Sequence, residues 1–155
     1  MRWRDPDTLD LFDDFVPVDP VVRFDPVDVR SATLRDSISR AVAATLDSAG
    51  AAGLGREEIA ARLTDWTGEP VSRAMVNAYA SQGRRDHTIS FARGIGLSAV
   101  TGDPRLFQLG AEAFGHIVVP KRFAHWVRVG QAAEAKAKIS RTYEKELRAA
   151  KGAGL

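Results

Sequence analysis

The sequence predicts a mainly all-α fold: a small helical domain with a helix-turn-helix-like pair, a long C-terminal helix and an extended N-terminal arm. After residue 30, apolar residues recur at three- and four-residue steps, which is the helical period. Glycine and proline separate these helical segments. The β-branched run at 116–119 is short and stops at Pro120. Because no partner strand is evident, we expect little sheet.

The composition is that of an ordinary domain. The 155 residues are 45% hydrophobic and 27% charged, which is enough to bury a core. The sequence contains no cysteine, so burial rather than disulfides or thiolate metal sites must stabilise it, as suits a reducing cytoplasm. No apolar run approaches the roughly 18 residues of a membrane span, and acids and prolines interrupt the N-terminus. We expect a soluble, cytoplasmic protein without membrane contact.

The net charge of +2 conceals an uneven distribution. Residues 1–30 contain four arginines against eight aspartates, a charge of −4. Residues 31–120 contain nine arginines against nine acids and are neutral, whereas residues 121–155 contain nine basic residues against three glutamates, a charge of +6. We therefore predict an acidic arm, a helical helix-turn-helix-like domain and a basic C-terminal helix with these bounds. Such asymmetry indicates nucleic acid, an acidic partner or docking of the two ends.

The predicted arm, residues 1–30, contains four of the seven prolines, in Asp-Pro or Val-Pro pairs that favour extended backbone and oppose helix. Its apolar residues are too numerous for a purely solvated tail, so we expect the arm to drape over the protein or to dock on a partner. These residues are Trp3, Leu9, Leu11, Phe12, Phe15, Val21, Val22 and Phe24.

Caps and apolar spacing place the helices. They are predicted over 32–48, 56–66, 73–81 and 89–100, from Asp103-Pro104 to Gly115, and over 122–151. Thr33, Ser72 and Ser90 are the expected N-caps. Leu34 begins the apolar stripe of the first helix. The large aromatic residues expected in the core are Trp66, Phe91, Phe107, Phe114, Phe123 and Trp126.

Catalytic and metal-binding patterns are absent from the sequence. His87, His116 and His125 are far apart, and no HExxH or Cys/His cluster occurs. There is no GxSxG, Walker loop or GxGxxG motif. Glu57 and Glu58 are adjacent and point to different sides of a helix, so they are read as favourable first-turn charges. We expect no metal, no cofactor and no enzymatic activity.

Residues 56–82 show the pattern of a helix-turn-helix pair. This motif needs two short helices at a steep angle, a small residue where their backbones meet, and polar residues on the outer face of the second helix. Ala60 is the small residue. The apolar positions expected to face the core are Ile59, Leu63, Val71, Val76 and Tyr79.

The outer face of the second helix offers candidates for reading base edges and phosphates: Ser72, Arg73, Asn77 and Ser81, beside Ala74. The turn predicted over 64–70 is longer than the roughly three or four residues of the standard motif. An ordinary helical hairpin with a solvated arginine and asparagine therefore stays open as an alternative.

Candidate phosphate contacts flank this pair and recur at the C-terminus. Following the second helix are Gln82, Arg84, Arg85 and Arg93. On the C-terminal helix they are Lys136, Lys138, Arg141 and Lys145. Basic residues along a phosphate backbone add salt-dependent affinity. The alternative is a solvated helix face.

Three segments carry a family resemblance: REEIAARLTDWTGEPVSRAMVNAYAS, HTISFARGIGLSAVTGDPRLFQLGAEAFG and VVP. Over about residues 34–120 the chain resembles small regulators of Mu-like transposable phages and prophages, and more distantly the CII-type phage regulatory proteins. The resemblance implies an all-helical DNA-binding regulator of phage genes or DNA transactions, with the longer turn as a family feature. It does not extend to the acidic arm or the basic helix.

These observations predict a sequence-specific protein that binds double-stranded DNA through residues 72–77 and through basic side chains on phosphates. The alternative is a non-enzymatic module that binds a protein partner through residues 1–30. A third hypothesis has the acidic arm cover the basic surface and lower DNA affinity. The stripe of Ile139, Tyr143 and Leu147 suggests a homodimer seam.

Overall fold

The computed structural model describes residues 19–83 and 86–152. These residues form α-helices and no β-strand, which confirms the predicted all-α class. The helices are α1 Pro26–Val29, α2 Leu34–Ala51, α3 Arg56–Thr67, α4 Arg73–Tyr79, α5 Phe91–Thr101, α6 Arg105–Glu112 and α7 Ala124–Gly152, with a 3-10 helix, Lys121–Phe123, before α7. The chain divides into two compact units, Met1–Val118 and Val119–Leu155.

Local signals account for where the helices begin and end. The predicted caps of α2, α4 and α5 each accept a backbone N–H of the first turn through a side-chain oxygen: Thr33, Ser72 and Ser90. Helices α3 and α5 end at Gly68 and Gly102, whose φ values of 70° and 71° lie in the left-handed region that glycine adopts without strain.

The main core of the first unit lies among α2, α3, α4 and α5. Each helix contributes apolar residues at the helical spacing, so their burial stabilises all four helices together. The buried residues of this cluster are Val42, Leu46, Ala49, Ile59, Ala60, Leu63, Val71, Val76, Tyr79 and Leu97.

Helices α3 and α5 approach closely at Gly96. A Cβ atom at this position would lie 2.9 Å from Cδ2 of Leu63 and 3.1 Å from Cε3 of Trp66. Leu63 is almost fully buried and is itself part of the main core. A side chain at residue 96 would therefore force Leu63 or Trp66 to shift, and a shift of the buried Leu63 disturbs the packing of the core.

Residues 19–30 pack on the first unit instead of forming a wholly extended arm. Val21, Phe24 and Val29 are buried, and Phe24 and Val29 form a second cluster with Ala41 of α2. The prediction that Asp-Pro pairs oppose helix is wrong at Pro26, which takes the first position of α1, where a missing N–H costs nothing. The expectation that the arm drapes over the protein is thus confirmed for residues 19–30. Residues 1–18 lie outside the described residues.

Arg105 links three parts of the first unit. Its guanidinium donates hydrogen bonds to both carboxylate oxygens of Asp103 and to Oγ of Ser48 at 2.8 Å, and it lies 4.5 Å from the ring centroid of Phe24. Burial opposes ionisation of Asp103. The hydrogen bonds and charge of Arg105 outweigh that effect, so the pKa of Asp103 lies below its ordinary value.

Several apolar residues expected in the core are exposed. Trp66 is 51% exposed and Trp126 is 69% exposed. Leu34, Phe91 and Phe114 are also exposed and line an open apolar groove of about 340 Å³. The prediction was wrong here because periodicity identifies the apolar side of a helix but not whether another element covers it.

The second unit consists mainly of α7, a helix of 29 residues and roughly 44 Å. The prediction of a long C-terminal helix is confirmed, although a 3-10 helix occupies the first residues of the predicted range. None of the residues of α7 is buried, and the stripe of Ile139, Tyr143 and Leu147 is exposed. Across the described ranges, no helix combines the length and apolar character needed to cross a membrane.

We expect Gly96→Ala to lower the free energy of unfolding and Gly94→Ala to raise it. Alanine is favoured over glycine in a helix by about 1 kcal/mol. A Cβ at residue 94 would meet Cδ2 of Leu106 at an ordinary 3.5 Å, whereas one at residue 96 overpacks the core, at a cost of about 1–3 kcal/mol. Urea unfolding of both variants measures the difference. Equal stabilisation by both would contradict the packing role of Gly96.

We expect stability to depend on pH through Asp103. Because its folded-state pKa is lowered, the stabilisation is fully present above the ordinary value of 3.8 and is lost as pH falls through the folded-state pKa. Asp103→Asn should cost about 1–3 kcal/mol at neutral pH and flatten the acid limb of the profile. Urea unfolding from neutral to strongly acidic pH tests this, with Asp65→Asn, at an exposed position of α3, as the control. If the free energy of unfolding falls with the same slope at acidic pH in the wild type and in Asp103→Asn, Asp103 does not contribute to the pH dependence.

Candidate functional site

Helices α3 and α4 form a pair with an apolar inner side and a polar outer side. Six of the predicted inward positions are buried: Ile59, Ala60, Leu63, Val71, Val76 and Tyr79. Trp66, which was also predicted to face the core, is 51% exposed. The sequence pattern therefore identified the inner side of α4, and that of α3 as far as Leu63. The buried inner side leaves the opposite side of α4 to solvent.

The connection between the two helices is shorter and more ordered than predicted. Helix α3 continues to Thr67, so only residues 68–72 separate it from α4. Oγ1 of Thr64 accepts the Val71 N–H at 2.9 Å and donates to the Ala60 carbonyl at 3.1 Å. Oγ1 of Thr67 accepts the Glu69 N–H at 3.3 Å. Two threonines of α3 thus hold the start of α4 in place.

The outer face of α4 presents the predicted polar residues. Ser72, Arg73 and Asn77 are exposed, and Ser81 is half-buried. Ala74, Asn77, Ala78 and Ser81 line an open depression of about 320 Å³. Arg73 lies beside Glu57 of α3, with 3.9 Å between Nη1 and Oε2. These side chains offer hydrogen-bond donors and one amide group to a ligand.

Arg56, which was predicted from the sequence only as the first residue of a helix, contributes to this face. Its Nη1 donates to Oδ1 of Asn77 at 2.9 Å, and its Nη2 donates to Oδ1 of Asp47 at 3.0 Å. The guanidinium therefore joins α2, α3 and α4. Asn77 follows Arg56 by 21 residues. No local spacing signal relates such positions, so the sequence could not reveal the contact.

The residues that follow α4 have different surroundings. Nε of Arg40 in α2 donates to Oε1 of Gln82 at 3.3 Å, which places a second arginine beside the face. Arg84 and Arg85 lie outside the described residues.

Arg93 is a structural residue rather than a phosphate contact. Its Nη1 donates to the Tyr79 hydroxyl at 2.7 Å, its Nη2 lies 3.2 Å from Oε2 of Glu69, and its side chain is 22% exposed. These contacts tie the Arg93 side chain of α5 to Tyr79 of α4 and to Glu69 in the turn before α4. The suggestion that Arg93 binds phosphate is corrected on this evidence.

On α7 the four predicted basic residues divide between two faces. The helical repeat places Lys138, Arg141 and Lys145 on one face with Arg148, because these positions are three or four residues apart. The same repeat places Lys136 on the opposite side, with Ile139, Tyr143 and Leu147. All of these side chains are exposed. The structure thus groups three of the four predicted residues and separates Lys136 from them.

Among the described residues, no group of three or more His, Cys, Asp and Glu side chains lies close enough to hold a metal ion. Comparisons with models of protein families, with curated proteins and with solved structures found no match to this chain. The geometry of the outer face of α4 is therefore the basis for the functional argument.

Proposed function

We propose that the protein is a sequence-specific DNA-binding regulator of the phage or prophage type, with the outer face of α4 reading a groove of double-stranded DNA. The observation that carries the proposal is the exposure of Arg73 and Asn77 on a short helix whose inner face is fully buried. The phage or prophage type in this proposal comes from the sequence pattern of residues 34–120 alone and stays a prediction.

The dimensions and chemistry of α4 suit a DNA groove. An α-helix with its side chains is about 10–12 Å across, and the major groove of B-DNA is about 12 Å wide. Arginine and asparagine are the side chains most suited to bidentate contacts with base edges. Ser72 and Ser81 add hydroxyl groups at the two ends of the helix, where phosphates flank a groove.

The basic face of α7, defined as Lys138, Arg141, Lys145 and Arg148, supplies the second part of the proposal. Lysine and arginine on phosphates release condensed counterions, which makes affinity fall steeply with salt. Such contacts do not read sequence. We therefore assign sequence preference to α4 and salt-dependent affinity to α7.

Binding of a protein partner is the second candidate function, and the charge of the first unit favours it. Its arginines are largely neutralised in ion pairs, among them Arg56 with Asp47, Arg93 with Glu69 and Arg105 with Asp103. A DNA-binding core more often carries excess positive charge. In this hypothesis the acidic, aromatic arm of residues 1–30 binds the partner through side chains other than Val21, Phe24 and Val29, which are buried on the first unit. Absence of DNA binding even at low salt would favour this function.

Arg73→Ala or Asn77→Ala should weaken binding to the cognate site by about 1–3 kcal/mol and relax sequence preference, because base contacts are lost. Fluorescence polarisation with cognate and mismatched duplexes measures both effects. Ala61→Ser, at an exposed position of α3, is a control for surface substitution. If Asn77→Ala leaves both affinity and preference unchanged, α4 is not the recognition helix.

Lys138→Ala or Arg141→Ala should weaken binding to all duplexes equally. Each should reduce the slope of log K against log salt by about 1, because one phosphate contact is lost. Titrations at several salt concentrations measure the slope. Lys136→Ala is the matched control, since it removes the same charge from the other side of α7 and should change the slope less. The same slope change in all three variants would show that the basic face has no defined orientation on DNA.

A further inference from the structure

The orientation of the Asn77 side-chain amide follows from its contact with Arg56. A guanidinium has only hydrogen-bond donors, whereas an amide has one acceptor oxygen and one donor NH₂ group. The atom of Asn77 that lies 2.9 Å from Nη1 of Arg56 must therefore be the oxygen. This chemistry assigns the two ends of the amide without reference to hydrogen positions. The NH₂ group remains to contact a ligand.

Arg56 is oriented by α2 as well as by Asn77. Its Nη2 donates to Oδ1 of Asp47 at 3.0 Å, and its side chain is 37% exposed. A guanidinium held at two points loses less freedom when a ligand binds than one held at a single point. The Asp47–Arg56–Asn77 chain thus presents a preorganised set of donors beside the outer face of α4.

This arrangement changes what Asn77 can read. An asparagine that reads adenine uses both ends of its amide: the oxygen accepts from N6, and the NH₂ group donates to N7. Here one lone pair of the oxygen accepts from the Arg56 guanidinium. An N6 amino group that approached the second lone pair would be repelled by the guanidinium charge. Guanine presents two acceptors, O6 and N7, in the major groove. Acceptors match the donors of Asn77 and Arg56.

We infer that Arg56 is a specificity-determining residue, which makes Asn77 a donor and sets guanine rather than adenine as the base that this pair reads. The inference rests on the proposed function of α4 and deepens it by naming the base class. Arg56 acts partly through Asn77 and partly through its own remaining N–H groups.

Selection of binding sites from a randomised duplex library, with the full chain, tests the inference. The position read by Asn77 is the one at which Asn77→Ala relaxes preference. The wild type should select guanine there. Arg56→Met keeps the aliphatic stem and releases the amide oxygen, so preference at this position should move toward adenine by roughly tenfold or more. Arg62→Met is the matched control, because Arg62 also lies on α3 but pairs with Glu58.

Asn77→Asp provides a second measurement that does not depend on the stability of the Arg56 variant. A carboxylate still accepts from Arg56 but cannot donate, so guanine preference should fall by roughly tenfold or more. The inference is overturned if the wild type selects adenine at this position, or if guanine preference survives in both Arg56→Met and Asn77→Asp. Failure of the wild type to enrich any sequence overturns the proposed function itself, and the inference with it.

Discussion

The close approach of α3 and α5 at Gly96 is the constraint on which the first unit depends. It allows α5 to lie against Leu63, a central residue of the core, and brings Arg93 within reach of α4. Arg93 then hydrogen-bonds Tyr79 and pairs with Glu69 in the turn. A helix of only seven residues has little stability of its own, so the burial of Val76 and Tyr79 in the main core, together with these contacts, orients the outer face of α4. The packing of α5 on α3 therefore contributes to the orientation of the outer face of α4.

The central segment is neutral because its nine arginines are matched by nine acids, and the structure brings several of these residues together in ion pairs. Among the described arginines of this segment, five have a carboxylate partner: Arg56 with Asp47, Arg62 with Glu58, Arg73 with Glu57, Arg93 with Glu69 and Arg105 with Asp103. In such pairs the carboxylate fixes the orientation of the guanidinium and offsets its positive charge. Under the proposed function, charge-driven affinity then comes from α7 and selectivity from a small number of oriented donors on α4.

The exposed apolar side chains of the first unit share a physical origin. Leu34 and Phe91 are the first residues of α2 and α5, Phe114 follows the end of α6, and all three line the open groove. Phe91 is partly supported by an edge-to-face contact with Phe107, with 6.1 Å between ring centroids. These residues have helical periodicity like that of the core. Their exposure follows from their positions at helix ends, beyond the region where the helices pack on one another.

The sequence by itself determined the helices, their caps and the inner side of the α3–α4 pair, because those features depend on residues a few positions apart. The α1 turn at Pro26, the packing role of Gly96 and the exposure of Trp66 were decided by the tertiary structure. So were the structural use of Arg93 and the orientation of the Asn77 amide by Arg56. Each of these depends on residues brought together from separate helices, and such contacts carry no periodic signal along the chain.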